Sequence, residues 1–424
     1  MSSMLADKVR DIKANKSLML NGINYGRVIA IKVYDSSIKA IIKELLRLFC
    51  FGFLCEIGGN TKSDKCLIYS LRSANRRDYD EIIALFLKYN PDFKLIDLIQ
   101  IKSIEKLHIK LMLLIKYSFY YLVKKVEEPF LSAIVTTQYV MLQKKMEENP
   151  VWEGIKLLVT FCDAHPPDNL LTQMAQKNNI VTATLQHGQY RILKKGNENA
   201  DAEAYENFIS DYMLTWGQAT IDEFSRAGIS ADRLIKTGAL RKFSFNNRIK
   251  SSLDKKTFGV VLCGEPYRET NIAMIKLAND FSIKHGLKFY LRMHPRNPVD
   301  YYLKYANNSV LYGHSNAISD DDYAKIVDFS LIHMTGVFVE LLSINSPIVM
   351  YKDSLLEQMF HIDPYCIKDT ESLSLFYENL LTNTERVLED QYTRYHYFNE
   401  PSSQISSNYR KSIIEILEMR DKSN

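Results

Sequence analysis

One apolar run constrains the fold of this chain more than any other feature. Residues 180–185 form a short, uninterrupted and partly β-branched run, and Gln186, His187 and Gly188 follow it at once. A run of this kind predicts a parallel strand that is buried on both faces. Because open α/β sheets bind ligands at the carboxyl ends of their strands, His187 is expected at a ligand site.

Predicted strands and helices alternate along the chain in two series. The first series has strands at residues 65–70, 157–161, 180–185 and 212–215, with helices at 82–88 and 169–177. The second series has strands at residues 258–263, 287–293, 326–332 and 347–351, with a helix at 272–285. Such alternation predicts two α/β domains, each with a parallel sheet covered by helices.

A polar, basic stretch at residues 241–256 separates the two series and is the predicted linker. At 424 residues the chain exceeds what one core usually supports, which also favours two domains. We expect Rossmann-like domains that face each other across a cleft. The expected boundaries are a helical or irregular preface at 1–60, domains at 61–245 and 246–395, and a segment at 396–424 whose helix (406–420) packs back on the first domain.

Composition and charge narrow the function classes. Apolar residues make up 46% of the chain and charged residues 25%, which is typical of globular proteins. The net charge of +4 requires no nucleic-acid partner, although a local basic patch stays open as an alternative. The six cysteines are scattered, with no C-x-x-C pair and no histidine at zinc spacing, which predicts a reducing cytoplasm and no metal site. Residues 1–21 lack the apolar core of a secretion signal.

Two segments combine apolar and basic residues without reaching the roughly 18–20 uninterrupted apolar residues of a spanning helix. They are residues 41–54 and residues 107–123, and lysines flank the second of them. Such a segment suits a membrane surface, where aromatic rings lie among headgroups and amines meet anionic lipid. A helix packed on its own domain has the same pattern, so both interpretations stay open.

Candidate phosphate-binding residues follow the strands of the second domain. Thr335 and Gly336 come between a predicted strand and a predicted helix at 337–343, and the amino end of a helix binds phosphate. Glu340, about one turn further on, is a candidate for contacts with ribose hydroxyls. The alternative is an ordinary threonine cap on a packed helix.

Two other strand ends of the second domain strengthen this interpretation. Arg292 and His294 flank the end of one strand and offer a permanent cation and a two-nitrogen donor to a phosphate group. Gly264 and Glu265 follow the domain's first strand and add a loop at the same sheet edge. Together these residues predict a nucleotide site.

In the first domain His187 is the predicted general base, because its pKa ordinarily lies near neutrality. Asp163 and His165, in the neighbouring strand-end loop, are candidates to orient His187, to bind the acceptor or to act as the base instead. Arg72 and Arg76 are weaker candidates for holding an anionic acceptor. Solvated arginines are the alternative.

The order of these motifs resembles that of GT-B fold enzymes that build bacterial surface polymers, especially teichoic-acid glycerophosphotransferases and capsule polysialyl- and Kdo-type transferases. The resemblance covers roughly residues 157–351. The matching residues are His187-Gly188; Trp216-Gly217, Gly228-Ile229, Ile235 and Thr237-Gly238; His294-Pro295; and Asp328, Thr335-Gly336, Glu340-Leu341-Leu342 and Pro347-Ile348.

The resemblance implies a metal-independent glycosyltransferase with an acceptor-binding first domain and a donor-binding second domain. His187 would activate the acceptor, while His294 and Thr335 would hold the donor phosphate. The donor, a CMP-, CDP- or UDP-linked sugar, would be a substrate and no cofactor would be needed. The acceptor would be a saccharide or a lipid-linked saccharide.

Two other functions fit the same fold. A non-hydrolysing nucleotide-sugar epimerase shares this architecture and would turn over a nucleotide sugar without an acceptor. A GT-B-like protein without catalysis would serve as an assembly or chaperone subunit, because fold alone does not fix function.

Overall fold

The structure, a computed structural model, describes residues 2–33, 36–72, 77–104, 106–149, 152–189, 207–241, 253, 255–308, 310–315, 317–344, 346–358 and 365–423. The chain divides into two compact units. Unit 1 comprises residues 1–216, 220–241 and 403–424, and unit 2 comprises residues 217–219 and 242–402. Arg76 and most of the predicted linker lie outside the described residues.

The helices and strands have the following bounds. The helices are α1 Ser2–Ala14, α2 Tyr25–Ile29, α3 Ile38–Cys50, α4 Arg77–Tyr89, α5 Leu107–Val123, α6 Pro129–Glu147, α7 Pro166–Lys177, α8 Gln218–Arg226, α9 Arg268–His285, α10 Val299–Leu303, α11 Asp320–Ile326, α12 Phe338–Ser343, α13 Thr370–Thr382, α14 Thr384–Phe398 and α15 Ser402–Ser423. The strands are β1 Met19–Leu20, β2 Ile23–Asn24, β3 Phe51–Gly59, β4 Lys65–Tyr69, β5 Lys94–Lys102, β6 Leu157–Thr160, β7 Val181–Leu185, β8 Tyr212–Thr215, β9 Leu234–Lys236, β10 Thr257–Val261, β11 Lys288–Met293, β12 Val310–His314, β13 Ser330–Ile332, β14 Ile348–Tyr351 and β15 Cys366–Ile367.

Each unit contains one large sheet with a doubly wound strand order. The sheet of unit 2 runs β12-β11-β10-β13-β14-β15 and is parallel throughout, which is the 3-2-1-4-5-6 order of the Rossmann fold. The sheet of unit 1 runs β3-β5-β4-β6-β7-β8-β9, with β3 antiparallel at one edge and the other strands parallel. The predicted fold class of two Rossmann-like α/β domains is therefore confirmed.

Helices cover both faces of the unit 1 sheet, which explains why its central strands are continuous apolar runs. One face packs against side chains of α1, α2, α5, α6 and α7. The other face packs against α4 and α15, where Tyr409, Ile413 and Ile416 join Leu67 and Phe86 in one cluster. Helix α15 therefore contributes to the core of unit 1.

Several predicted boundaries differ from the structure. The preface at 1–60 belongs to unit 1 and includes the nine-residue strand β3, where no strand was predicted. Pro166, Pro167 and Asp168, predicted as loop, open α7, because proline is well suited to the first turn of a helix. The strand predicted at 326–332 is only Ser330–Ile332. Residue 326 instead ends α11, which Ser319 caps and three aspartates favour in its first turn.

Candidate functional site

Each large sheet has a point where the strand order reverses, and ligands of open α/β sheets bind at such points. In unit 1 the reversal lies between β4 and β6, and β7 is the next strand. In unit 2 it lies between β10 and β13, and β11 flanks β10 on the other side. The loops after β6, β7, β10, β11 and β13 carry the predicted site residues, so the structure places most of them beside the two reversal points.

In unit 1 the side chain of His187 lies in an aromatic setting just beyond β7. Its ring centroid is 5.2 Å from that of Phe161, 6.0 Å from that of Tyr79 and 6.3 Å from that of His165. The guanidinium of Arg241 donates to the His187 carbonyl oxygen at 3.4 Å. The structure therefore brings together His187 and His165, as predicted, and adds Tyr79 and Arg241 to their surroundings.

Gln186 fixes the segment that carries His187. Its Oε1 accepts a hydrogen bond from the Trp216 backbone N–H at 2.7 Å, and its carbonyl oxygen accepts one from Trp216 Nε1 at 2.7 Å. Its Nε2 donates to the Gly188 carbonyl oxygen at 2.8 Å. Sequence reasoning missed Gln186, although its position between a buried strand and His187 was a usable signal.

Burial makes His165 and Cys162 neutral. Burial, and next the positive charge of Lys32, lower the pKa of His165 to about 4. Burial also raises the pKa of the Cys162 thiol well above its usual value. Neutral imidazole is the form that accepts a proton or binds a metal.

Cys162, His165 and His187 form a cluster, and the expectation of no histidine at zinc spacing overlooked that Cys162 and His165 are only three positions apart. Their potential ligand atoms all lie within 4.8 Å of one another. Two histidines and a cysteine are a donor set that suits zinc, with a fourth position left for water or substrate. The side-chain types therefore suit such an ion, whereas the raised pKa of the Cys162 thiol opposes the thiolate form that binds zinc.

Asp163 forms three hydrogen bonds to the segment that leads into β8. Its Oδ2 accepts hydrogen bonds from the backbone N–H groups of Ile209 and Ser210, at 2.9 and 2.7 Å, and from Ser210 Oγ at 2.7 Å. The carboxyl is buried, and burial raises its pKa. These bonds give Asp163 a structural task in positioning residues 209 and 210.

Asp168, which was not predicted as a site residue, is the most strongly perturbed carboxyl of this region. It is fully buried in the first turn of α7, and its Oδ2 accepts from the Cys162 backbone N–H at 2.9 Å. Burial raises its pKa to about 7.

Arg72 forms an ion pair with Asp97 and stacks over Tyr69, so the structure gives this candidate anion-binding arginine an internal partner.

In unit 2 a hydrogen-bonded hub joins three strand ends. The Cys263 carbonyl oxygen accepts from Asn271 Nδ2 and from Asn297 Nδ2, each at 2.9 Å. Cys263 Sγ donates to the Met334 carbonyl oxygen at 3.1 Å. The loops after β10, β11 and β13 are therefore tied together at the carboxyl edge of the sheet.

Arg292 and His294 both lie at this edge but have different surroundings. Arg292 is buried, donates to Asp320 Oδ1 at 2.6 Å and lies over the Tyr323 ring. Its Nε and Nη1 have no hydrogen-bond partner among the described residues. His294 is half-buried, and its Nδ1 accepts from the Arg296 backbone N–H at 3.2 Å. The internal pair with Asp320 offsets part of the charge that Arg292 was predicted to offer to phosphate.

A buried His333–Asp353 pair adds a charged group that sequence reasoning missed. His333 Nε2 lies 3.0 Å from Asp353 Oδ1, and Thr270 Oγ1 donates to Asp353 Oδ2 at 2.7 Å. Although burial opposes ionisation, the hydrogen bonds from His333 and Thr270 hold the pKa of Asp353 well below its usual range. His333 Nδ1 is buried and has no hydrogen-bond partner among the described residues.

Thr335, Gly336 and Glu340 lie in and around the short helix α12, which begins at Phe338, one residue later than predicted. Thr335 Oγ1 accepts from the Val337 backbone N–H at 3.4 Å. A Cβ added at Gly336 would contact nothing within 4 Å among the described atoms. Because α12 has only six residues, its dipole is small, and phosphate recognition here depends on the side chains and on the open approach at Gly336.

Gly264 and Glu265 form the remaining predicted loop. Gly264 precedes a 3₁₀ turn at Glu265–Tyr267. Glu265 forms an ion pair with Arg268 and accepts a hydrogen bond from Tyr302 Oη at 3.3 Å. Because Tyr302 also contacts Asn271 at 3.2 Å, this loop is connected to the hub at Cys263.

No family model and no curated protein matches this sequence. Solved structures with some likeness include the S. aureus MnaA–UDP co-structure (12% identity, 83% of this chain and 97% of that chain, TM-score 0.48). Another is a UDP-GlcNAc 2-epimerase from Neisseria meningitidis bound to UDP-GlcNAc (12% identity, 84% of this chain and 99% of that chain, TM-score 0.48). A third is TarM (10% identity, 62% of this chain and 54% of that chain, TM-score 0.42). All three TM-scores are below 0.5.

Proposed function

We propose that this protein is a metal-independent, GT-B type glycosyltransferase that moves a sugar or sugar-like unit from a nucleotide-activated donor to a saccharide or lipid-linked saccharide. One observation carries the proposal: each unit has a doubly wound, mainly parallel sheet and places two histidines at strand ends near the point where the strand order reverses. These are His165 and His187 in unit 1, and His294 and His333 in unit 2. The motif resemblance supplies the reaction class.

Unit 2 binds the donor in this proposal. His294, Thr335 and Gly336 face the phosphate groups of a CMP-, CDP- or UDP-linked sugar, while Glu340 accepts hydrogen bonds from the ribose hydroxyls. Arg292, whose Nε and Nη1 lack partners among the described residues, adds positive charge at the same edge. These groups stabilise the negative charge that develops on the departing phosphate.

Unit 1 binds the acceptor and supplies the base. The acceptor oxygen attacks the anomeric carbon of the sugar, and the bond from that carbon to the phosphate oxygen breaks. The electron pair leaves with the nucleoside phosphate, and a ring nitrogen of His187 takes the acceptor proton. Neutral His165 and the aromatic rings of Phe161 and Tyr79 hold the His187 ring in place.

The proposed setting is bacterial surface-polysaccharide biosynthesis, that is capsule, lipopolysaccharide or teichoic acid, in the cytoplasm. The resemblance to surface-polymer transferases supports this setting. The scattered cysteines, none in a C-x-x-C pair, are the sequence feature that supports a reducing compartment.

Nucleotide binding is tested first by a dye-monitored thermal-shift screen against CMP, CDP, UDP, GDP and ADP. A nucleotide at a hundred times its Kd adds roughly 2.7 kcal/mol to the folded state and raises the melting temperature by several degrees. We expect one pyrimidine nucleotide to stand out, and His294→Ala to abolish its shift while the protein stays folded. The absence of any shift, or an unchanged shift in the variant, would contradict the donor site.

Catalysis is tested with the nucleotide sugar that this screen selects. We expect His187→Gln to lower kcat by roughly 10²–10⁴-fold, because general-base catalysis contributes about that much. Nucleotide binding should be unchanged in this variant, since His187 belongs to unit 1. Conversion of the nucleotide sugar without any acceptor would instead identify an epimerase.

Metal independence is tested at the Cys162–His165–His187 cluster. We expect EDTA and 1,10-phenanthroline to leave the transfer rate unchanged, and elemental analysis to find less than one zinc per chain. If the chelators abolish activity and added zinc restores it, and if Cys162→Ala loses bound zinc, metal independence is contradicted.

A further inference from the structure

Helix α5 exposes an apolar surface that its own unit does not cover. Seven of its large apolar side chains are exposed, and Phe119 is 70% exposed. The seven are Leu107, Leu111, Met112, Ile115, Phe119, Leu122 and Val123. Tyr117 and Tyr121, on the opposite side of the helix, are buried in the unit 1 core. The helix is therefore anchored by one face and leaves the other face open.

Helix α3 has an exposed apolar stripe of its own. Its exposed residues Ile38, Ile42 and Leu46 recur every four positions and so form one stripe, and Ile38 is 77% exposed. Helices α3 and α5 both pack against α6 and contact each other. We call the exposed faces of α3 and α5 the apolar surface.

The exposed charges on α3 and α5 themselves are positive. Exposed lysines flank both helices, namely Lys39 and Lys43 on α3 and Lys106, Lys116, Lys124 and Lys125 on or beside α5. Helix α5 contains no acidic residue. Glu44, the acidic residue of α3, is buried and forms ion pairs with Lys32 and Arg47. Two copies of such a surface would repel each other, whereas anionic headgroups complement it.

A cavity of about 580 Å³ lies beside the apolar surface and adds further amines. Residues of α3, β3, α5 and α6 line it, and its charged side chains are four lysines and one glutamate, namely Lys106, Lys110, Lys144, Lys145 and Glu148. Lys110 and Lys145 also donate to the backbone carbonyl oxygens of Phe51 and Phe53. Gln138 also lines it, and the Oε1 of this buried residue has no hydrogen-bond partner among the described residues. A ligand with a phosphate and a hydroxyl group suits this lining, because the amines attract the phosphate and Gln138 Oε1 accepts from a hydroxyl.

We propose that the apolar surface docks unit 1 on a bilayer containing anionic phospholipid, and that the adjacent cavity accepts a hydroxyl-bearing headgroup such as that of phosphatidylglycerol. The apolar side chains enter the region between headgroups and acyl chains, and the lysines contact phosphates. No described helix is long and apolar enough to span a membrane, so this contact is peripheral in the described part of the chain. The inference rests on the proposed function only where it makes the membrane the source of a lipid-linked acceptor.

The test is co-sedimentation of the full-length protein with vesicles, without nucleotide. We expect binding to vesicles of phosphatidylcholine with 30% phosphatidylglycerol, weaker binding at high salt, and little binding to pure phosphatidylcholine. The double variant Ile115→Glu/Phe119→Glu should lower the partition coefficient by about tenfold or more. The matched control is Ile283→Glu/Leu375→Glu, which changes two residues of unit 2 that are 74% and 67% exposed, and it should bind like the parent.

The cavity is tested with Gln138→Leu. We expect this variant to keep its melting temperature and to lose the preference for phosphatidylglycerol over phosphatidylserine at equal vesicle charge. Equal binding of the parent to neutral and anionic vesicles would overturn the proposal, as would equal loss in the control variant. A dimer seen by light scattering that Ile115→Glu/Phe119→Glu dissociates would assign the surface to contact between copies. Because no nucleotide is present, failure here leaves the glycosyltransferase assays unaffected.

Discussion

Burial fixes the protonation of the side chains around the strand ends of unit 1. His165 is neutral because burial lowers its pKa to about 4, and Asp168 titrates near neutrality because burial raises its pKa to about 7. Asp163, although equally enclosed, receives three hydrogen bonds to one oxygen and so serves the loop. Asp163 and Asp168, two buried aspartates in the same part of the chain, therefore have different roles.

Asp168 predicts a pH dependence of stability. Its folded pKa of about 7 exceeds the unfolded value of 3.8, so the folded state binds more protons between these two pH values. The Asp168 contribution therefore destabilises the protein progressively as pH rises from about 4 to about 7, by roughly 4 kcal/mol in total. Asp168→Asn keeps an oxygen for the Cys162 N–H and removes the titration. Relative to the parent, this variant should gain stability over that pH range.

The measurement is urea unfolding at pH 5 and pH 8, followed by tryptophan fluorescence. Both tryptophans, Trp152 and Trp216, belong to unit 1, so the signal reports this unit. The difference in unfolding free energy between variant and parent should grow with pH. A difference that does not depend on pH would mean that Asp168 does not titrate in the folded protein between pH 5 and pH 8.

Single residues were predictable where the chain order itself carries the signal. His187, His165, His294 and Thr335 each follow a recognisable strand, and the structure places each at the expected strand end. The partners were not predictable: Asp353 meets His333 only because β13 and β14 are neighbours in the sheet. Gln186, whose bonds to Trp216 cross from β7 to β8, was missed for the same reason.

At the scale of elements, three glycines of the family-like motif have physical reasons in this structure. Gly228 and Gly238 have φ angles of +88° and +95°, which residues with a Cβ rarely adopt. Gly217 has a different reason, because a Cβ there would lie 2.6 Å from the Phe398 carbonyl carbon. The dipeptides that carried the resemblance are therefore places where the backbone turns or passes very close to another segment.

These two reasons predict different costs for alanine. Gly217→Ala should destabilise the protein by roughly 1–3 kcal/mol, because the backbone at 398–399 must move away. Gly228→Ala meets no atom within 4 Å among those described, so it should cost only the backbone strain of about 1 kcal/mol. Scanning calorimetry shows which of the two variants loses more stability. A larger loss for Gly228→Ala would contradict this account.

Gly336 and Gly188 are a test position and its matched control for close contact between a ligand and the backbone. An added Cβ would meet nothing within 4 Å at either position among the described atoms, so neither alanine variant should change the melting temperature. If phosphate approaches the backbone at Gly336, Gly336→Ala should weaken nucleotide binding by about tenfold while Gly188→Ala leaves it unchanged. Isothermal titration with the selected nucleotide measures both. Equal affinity in Gly336→Ala would remove the close approach at this position.

The elements that sequence reasoning missed lie mostly at sheet edges. Strand β3 is an edge strand with three glycines, and its side chains are half-buried or exposed without regular alternation. Its place is fixed by antiparallel pairing with β5, a contact between distant parts of the chain. The strand at 326–332 was predicted too long because Ser319 and the aspartates that follow it extend a helix to Ile326.

At the scale of the whole molecule, α15 ties the end of the chain to unit 1. Tyr409 is fully buried, donates to the Gly238 carbonyl oxygen at 3.2 Å and packs edge-on against Phe86. Tyr409→Ala should lower the stability of unit 1 by roughly 3–5 kcal/mol, and Tyr409→Phe, which removes only the hydrogen bond, by about 1 kcal/mol. Tryptophan fluorescence during urea unfolding measures both losses of stability. A several-fold larger loss in Tyr409→Ala than in Tyr409→Phe would support the packing role of the ring. Unchanged stability in both variants would mean that α15 does not stabilise unit 1.

The sequence by itself determined the two α/β series, the approximate division of the chain and the strand-end histidines, because buried parallel strands and the residues after them are local patterns. Tertiary structure alone decided the strand order, the Cys162–His165–His187 cluster, the raised pKa of buried Asp168 and the exposed apolar faces of α3 and α5. Each of these depends on which distant segments pack together and on what burial excludes from water. Neither property can be read from one stretch of chain.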